Sequence, residues 1–344
     1  MRDQGGGLRV TIRDVANAVG VSTATVSKVL NATGRVSEET RKAVLDAAKR
    51  LDFRPNAMAR ALQSSRSSSV GLLTDDTYGR FSLPLMAGVT EGLIAHGMSV
   101  FLCTIDGPPE LGATHLDALL QKRVDGLIIS GRRVDRLPDI DLSGVPVPIV
   151  YALSQGPEHG VTLAPDEKQG ARLAVTHLIE IGRRRIAHVT GPERFRVVRE
   201  RAASWRETLA AHGLASDMAV LNGDWSQRWG HTAVAELFDG RPEAEWPDAV
   251  FCGNDQIGHG LVDALRERGI AVPGQVAVIG FDNWHVLAED SRPPLSSIDM
   301  NLPALGREVG LTLMRMIAGE HQAEGTTRLP CTLVRRASTI GPVG

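Results

Sequence analysis

Between residues 70 and 281 six short apolar runs recur: VGLLT (70–74), SVFLCT (99–104), DGLIIS (125–130), RIAHVT (185–190), AVFCG (249–253) and VAVIGF (276–281). Stretches of helical periodicity separate them, among them Leu85–His96, His115–Arg123, Lys168–Ile181, Arg201–His212, His231–Phe238 and Gln256–Arg268. A chain that alternates in this way builds βαβ units, hence parallel sheets with helices on both faces. About 270 residues is more than one open sheet usually organises, so two similar lobes are expected.

The segment before residue 70 follows a different rule. Three short helical patterns come in quick succession. Ile12–Val19 follows Thr11 as N-cap, with Asp14 three residues on. Thr23–Leu30 follows Ser22, and Glu38–Leu51 follows Ser37, with two glutamates in the first turn, where the helix dipole favours them. Pro55 forbids continuation, Asn56 caps a further short helix over Ala57–Gln63, and a serine-rich linker completes the segment to Ser69. Within the first two helices Ala16 is small enough for a close crossing, and Gly20 tolerates positive φ at the turn. Val15, Val19, Val21, Val26 and Val29 fall where these helices and the third share a core. This is the pattern of a helix-turn-helix. Its second helix turns Thr23, Ala24, Ser27 and Lys28 outward, small enough near the N-terminus to seat in a major groove, with Lys28 in reach of guanine or phosphate. Charge agrees: residues 1–69 carry a net +6 and the remainder −8, so the head is the part suited to a polyanion.

The runs TIRDVANAVGVSTATVSKVLN and VSEETRKAVLDAAKRLDFRPNAMARAL closely resemble the headpiece of the LacI/GalR family of bacterial transcription regulators. Further matches run the length of the chain, including VDGLII (124–129), GND (253–255), VIGFD (278–282), PPLSSI (293–298) and LVRRAST (333–339). The resemblance implies a homodimer on a pseudo-palindromic double-stranded DNA operator, acting as a repressor. It also implies a periplasmic-binding-protein-like body that holds a small ligand between two lobes. The expected division is a DNA-binding headpiece at 1–55, a hinge helix and linker at 56–69, and a body at 70–344. The lobes are expected at 70–164 with 295–322 and at 165–294 with 323–344. The DNA-facing set is expected to comprise Thr11, Ser22, Thr23, Ala24, Thr25, Ser27, Lys28 and Asn31, with Asn56, Ala59, Arg60 and Leu62 from the hinge. Seven or eight residues do not hold a helix alone in water, so the hinge helix should form only when paired. Leu62 matches the leucine that wedges between central base pairs, and Ala59 permits close approach.

Ligands of such bodies sit at the carboxyl ends of the strands. Asn254 and Asp282 follow the fifth and sixth apolar runs, where an amide and a carboxylate meet hydroxyls. The resemblance adds Arg201, expected to open a helix, Trp225 as an aromatic cover, and Phe81 and Ser130 from the opposite lobe. Several positions depart from the family pattern. Lys28 stands for a usual Arg, Arg183 for a common His and is expected to be a neutral surface change, and Ser204 for a usual Gly. Tyr151 and Met300 stand where sugar-binding members often carry Asp and Gln. A carbohydrate is the expected effector, with a nucleobase-like ligand as the alternative.

An enzyme is not expected. The chain has no G-x-S-x-G, P-loop, H-E-x-x-H or strand-borne G-x-G-x-x-G, and no metal-ligand spacing, so neither cofactor nor metal is implied. Cys103, Cys252 and Cys331 are odd in number and far apart, which fits a reducing cytoplasm. No apolar run approaches 18 residues and the N-terminus lacks a secretory h-region, so no membrane association is expected. These features, with the headpiece, also separate the chain from a solute-binding transport component. No heptad segment follows Thr339 to point to a tetramer.

Overall fold

A computed structural model describes residues 10–30, 33–53, 66–76, 78–133, 139–214, 218 and 220–341. The chain divides into two compact units, 1–68 and 69–344. The first holds α1 (Ile12–Val19), α2 (Thr23–Leu30) and α3 (Glu38–Arg50). Each starts where a side chain satisfies the free amides of its first turn. Thr11 and Asp14 form a reciprocal capping box at α1. Ser22 Oγ accepts from the Thr25 amide at 3.1 Å, and Ser37 Oγ accepts from that of Thr40 at 3.3 Å. Gly20 ends α1 at φ +72°, a conformation that a side chain disfavours. Val15, Ala16, Val26, Val29 and Val44 are buried, with Val19 and Val21 packed against them. The expected hinge helix Ala57–Gln63 lies outside the described residues.

The second unit is a pair of six-stranded sheets. The first runs β11-β5-β4-β3-β1-β2, with β1 Ser69–Thr74, β2 Ser99–Thr104, β3 Gly126–Arg133, β4 Ile149–Ser154, β5 Val161–Pro165 and β11 Gly325–Leu329. All its pairings are parallel. The second runs β12-β10-β9-β8-β6-β7, with β6 Ile186–Thr190, β7 Val220–Asn222, β8 Ala249–Cys252, β9 Ala277–Phe281, β10 Ser296–Asp299 and β12 Thr332–Val334. Only β12 is antiparallel there. The crossing helices are α4 (Ser82–Ile94), α5 (Pro109–Gln121), α6 (Glu167–Glu180), α7 (Arg196–Ala211), α8 (Gln227–Phe238), α9 (Asp255–Glu267), α10 (His285–Ala288), α11 (Leu302–Ile317) and α12 (Ala337–Ile340).

The later lobe boundaries differ from expectation. β10 belongs to the second sheet and β11 to the first, so the chain changes lobe after Asp299 and after Leu329 rather than at 295 and 323. The reason is pairing. β10 completes its hydrogen bonds against β9, and β11 against β5. Arg201 also lies in the second turn of α7 instead of opening it, because the helix starts at Arg196.

Helix glycines mark close approach. A Cβ on Gly88 of α4 would run into the Pro303 carbonyl of α11, and one on Gly306 would meet the Leu85 carbonyl. Arg183 is more than a neutral surface residue. Its guanidinium donates to the carbonyls of Pro273, Gly274 and Gln275 and pins that loop. Ser204 Oγ donates to the Lys168 carbonyl at 2.7 Å, a bond between α7 and α6 that a glycine lacks. Tyr151 and Met300 are buried in apolar clusters of the first sheet and the inner core.

His188, at the centre of β6, is fully buried and stacks on Phe251 at 4.5 Å between ring centroids. Its Nδ1 lies 2.9 Å from the Phe251 carbonyl. Burial pushes its pKa from 6.5 down to about 4. The folded state therefore keeps the ring neutral where the unfolded chain binds a proton. Stability from this group is complete above pH 6.5 and declines as pH falls towards 4. His188→Asn keeps an N–H donor and cannot ionise. In urea titrations between these pH values the parent should lose about 3 kcal/mol more than this variant. Parallel pH profiles would contradict the assignment.

Candidate nucleic-acid interface and interlobe cleft

On α2, Thr23, Ala24 and Lys28 are exposed, while Thr25 and Ser27 are half-buried. Val26 and Val29 hold the opposite face in the core, so burial fixes which side of the helix remains free. Ser22 and Thr11 are exposed at the N-termini of α2 and α1. The Ser22 hydroxyl also lies 2.9 Å from that of Thr25. Lys28 rests its aliphatic stem against Gly34. Asn31, Asn56, Ala59, Arg60 and Leu62 lie outside the described residues.

In the body the strand ends bring a run of alternating charges together. Glu167, in the first turn of α6, accepts from Arg201 Nε at 2.7 Å and from Nη2 at 2.6 Å. Arg201 also donates through Nη1 to the Gly253 carbonyl, and its guanidinium lies 3.6 Å from the Phe281 ring centroid. Both partners are buried. Burial raises the Glu167 pKa in spite of the adjacent cation. Asp282 follows β9 and accepts from Arg80 of the first lobe. Burial raises the Asp282 carboxyl, opposed by Arg80 and then Arg201. Arg80 donates its other Nη to Gln256 at 2.7 Å.

The backbone carrying Asp282 is strained and well held. Asp282 and Asn283 have φ of +100° and +49°. The Asp282 amide donates to the Ile298 carbonyl at 2.8 Å, that of Asn283 to Ser297 Oγ at 3.0 Å, and that of Trp284 to the Asp255 carboxylate at 2.6 Å. Arg336 and Asp299 hold the Asn283 side chain. Such over-determination lets a non-glycine residue stay at positive φ.

The remaining expected residues are less uniform. Asn254 caps α9, its Oδ1 accepting from the Ile257 amide at 2.8 Å and its Nδ2 donating to the Trp225 carbonyl at 3.2 Å. Trp225 covers Gly191 and stacks with Phe195 at 6.1 Å. Ser130 pairs in register with Thr74 at the end of β1, is fully buried, and its hydroxyl has no partner among the described residues. Phe81 starts α4, its amide donating to the Asp76 carboxylate at 2.7 Å. Arg201 thus stands beside Asp282, Asn254 is bonded to Trp225, and Phe81 is joined to Asp282 through Arg80. The Ser130 hydroxyl makes no hydrogen bond to the other five among the described residues. Arg80, Gln256, Asp255 and Glu167 escaped the sequence reading. The available signal was only that Arg80 follows the first strand and Gln256 the fifth apolar run.

A compact helical unit with an exposed polar helix, together with a two-lobed unit that has charged side chains between its lobes, defines a DNA-binding regulator class. The pattern described as bacterial regulatory proteins, lacI family, matches residues 11–56, and that of the periplasmic binding protein-like domain matches 175–339. The HTH-type transcriptional repressor PurR of Haemophilus influenzae (strain PittEE) is 33% identical over 319 residues, 92% of this chain and 93% of that protein. A crystal structure of the lac repressor dimer bound to operator and the anti-inducer ONPF superposes with a TM-score of 0.74 at 28% identity, covering 96% of this chain and 99% of that one. A complex of the transcriptional regulator CelR with cellobiose gives 0.66 at 32%, covering 96% and 100%. The chain belongs to the LacI family of bacterial transcriptional regulators and is not an enzyme.

Removing Glu167 would leave the Arg201 guanidinium buried without its carboxylate, a defect that costs about 3–5 kcal/mol. Glu167→Ala should lower the unfolding stability of the body by that amount. Glu167→Leu with Arg201→Met together should cost less than the sum of the two single changes. Urea unfolding of the parent and the four variants checks both; additivity would show the pair to be uncoupled.

Proposed function

We propose that this regulator is a cytoplasmic homodimeric repressor. It binds a pseudo-palindromic operator, and a small hydroxyl-rich ligand, a sugar or sugar derivative, releases it. The exposed polar face of α2 is the observation that carries the DNA-binding part. In this reading Thr11, Ser22, Thr23, Ala24, Thr25, Ser27, Lys28 and Asn31 face the major groove and its phosphates. Asn56, Ala59, Arg60 and Leu62 of the 56–69 hinge enter the minor groove between the headpiece at 1–55 and the body. Lys28, a point donor without the fork of arginine, tolerates more than one base.

Dimerisation is supported by an apolar surface on the first lobe. β2 is an edge strand with Phe101 and Leu102 exposed, and α4, which packs against it, leaves Leu83 and Ile94 open, the latter 68% exposed. Such a surface suits a second copy of the chain. The lac repressor neighbour is a dimer on operator.

The ligand set is Phe81 and Ser130 from one lobe with Trp225, Asn254, Asp282 and Arg201 from the other. Asp282 supplies acceptors for hydroxyls, the unpartnered Ser130 hydroxyl supplies a donor, and Trp225 offers a face for a sugar ring. Because the Asn254 and Arg201 donors are largely engaged inside the second lobe, their part is chiefly to hold Trp225 and Asp282 in place. The CelR neighbour is a complex with cellobiose, which supports the carbohydrate reading, while the PurR relatives support the nucleobase-like alternative.

Operator selection from random duplexes, followed by gel shift, tests the reading. The expected site is a palindrome whose affinity falls steeply with salt, and Lys28→Ala should weaken it about 10- to 100-fold. A panel of mono- and disaccharides should contain a member that releases the DNA, and Asp282→Asn should abolish that release. Release by free nucleobases alone would replace the carbohydrate assignment. A selected site without two-fold symmetry would overturn the dimeric reading.

A further inference from the structure

The chain crosses between lobes after β5, after β10 and after β11. β5 and β11 lie at one side of the first sheet, and β10 and β12 at one side of the second. The strands farthest from these crossovers are β2 and β7, so hinge opening separates the lobes most at that end. An ion pair between Arg328 of β11 and Glu200 of α7 lies beside a crossover and does little to oppose opening. Arg80 is different. It stands on the loop between β1 and α4 of the first lobe, and its guanidinium is spent on the second lobe.

We propose that Arg80 is a latch that holds the two lobes closed when no ligand is bound. Its two Nη groups donate to Asp282 and Gln256, and its Cζ lies 4.7 Å from the Trp284 ring centroid and 4.9 Å from that of Phe81. The guanidinium therefore meets an aromatic ring of each lobe, and it donates to a carboxylate and an amide of the second. The pair is largely withdrawn from water, with 15% of the Arg80 side chain exposed and 8% of that of Asp282, so its attraction is poorly screened.

Both ends of the latch are mounted on fixed backbone. On the first lobe Gly79 turns the loop at φ +70°, and the Asp76 carboxylate accepts from the amides of Phe81 and Ser82 at 2.7 and 2.8 Å. On the second, the Asp282–Trp284 segment is held by Ile298, Ser297 and Asp255. Rigid mounts reduce the entropy lost when the contact forms. The guanidinium occupies the acceptor of Asp282 that a hydroxylated ligand needs. On the reading of the cleft as the effector site, a ligand must displace the latch, and the closed fraction without ligand sets its apparent affinity.

The test uses neither ligand nor DNA, so its failure would leave the DNA-binding reading untouched. Donor and acceptor dyes are placed at Asp106→Cys, beyond β2, and Asn222→Cys, at the end of β7, in a Cys103→Ser background. Cys252 and Cys331 are buried. Labelled full-length chains are diluted with unlabelled protein and followed by single-molecule energy transfer. The parent is expected in a predominantly short-distance population. Arg80→Met keeps an apolar stem against Phe81 and Trp284 but loses the donors. It should lower the closed-to-open ratio about tenfold or more, the yield of one charge-assisted hydrogen bond. Asp282→Ala removes the same bond from the other lobe and provides a second route should Arg80→Met fold poorly. The double variant should open no further than the more open of the two. A parent that is mainly open, or variants with the parent's distance distribution, would overturn the latch.

Discussion

The body depends on a line of four charges at the meeting of its lobes: Glu167, Arg201, Asp282 and Arg80. They alternate in sign and come from α6, α7, the end of β9 and the loop after β1. None would be tolerated alone, because a buried charge without a partner costs several kcal/mol. Burial still raises the carboxyls of Glu167 and Asp282, so the cations offset the desolvation of these groups only in part. The line thereby couples the internal order of the second lobe to the position of the first. Arg201 and Glu167 fix Phe281 and the strand end, that strand end presents Asp282, and Asp282 reaches the first lobe through Arg80.

The surrounding architecture keeps this line in register. The strained turn at Asp282 and Asn283 persists because Asp255, Ser297, Asp299 and Arg336 bind its amides and side chain. The carboxy-terminal segment contributes directly. Ser338 Oγ donates to the Val278 carbonyl at 2.6 Å and accepts from the Ser296 amide, while the Thr339 hydroxyl lies 2.8 Å from His177 Nε2. These bonds fasten β9 and β10 to the end of the chain, so the LVRRAST motif has a structural task close to the cleft.

Much of the fold was legible because its signals are local. Ala16, Gly20 and five valines within 15 residues specify the crossing of two helices, and each of the six apolar runs became a strand. β4, β5 and α11 are not among the runs and helical stretches named from the sequence; prolines and glycines crowd the ends of the two strands, and Pro303, Gly306 and Gly310 interrupt the helical pattern of α11. In space those two glycines let α11 approach the backbone of α4, a requirement that a single segment does not display. The site divides in the same way. Asp282 and Asn254 followed from strand ends, but Arg80 acquires its meaning from a contact 202 positions away. Asn254 shows the converse, since a residue placed by its strand end proved to be bound up as a helix cap.

In the proposed reading, a ligand at these strand ends and DNA at α2 bias one equilibrium. Linkage then requires each to change the affinity of the other by the same factor, typically about 5- to 150-fold. The direct measurement is calorimetric titration of the full-length protein with the small molecule found to alter operator binding, performed without DNA and with saturating operator duplex. Coupling of the two sites requires operator to change the affinity for this ligand by the same factor with which the ligand changes operator binding. Equal ligand affinity in the two titrations would contradict it.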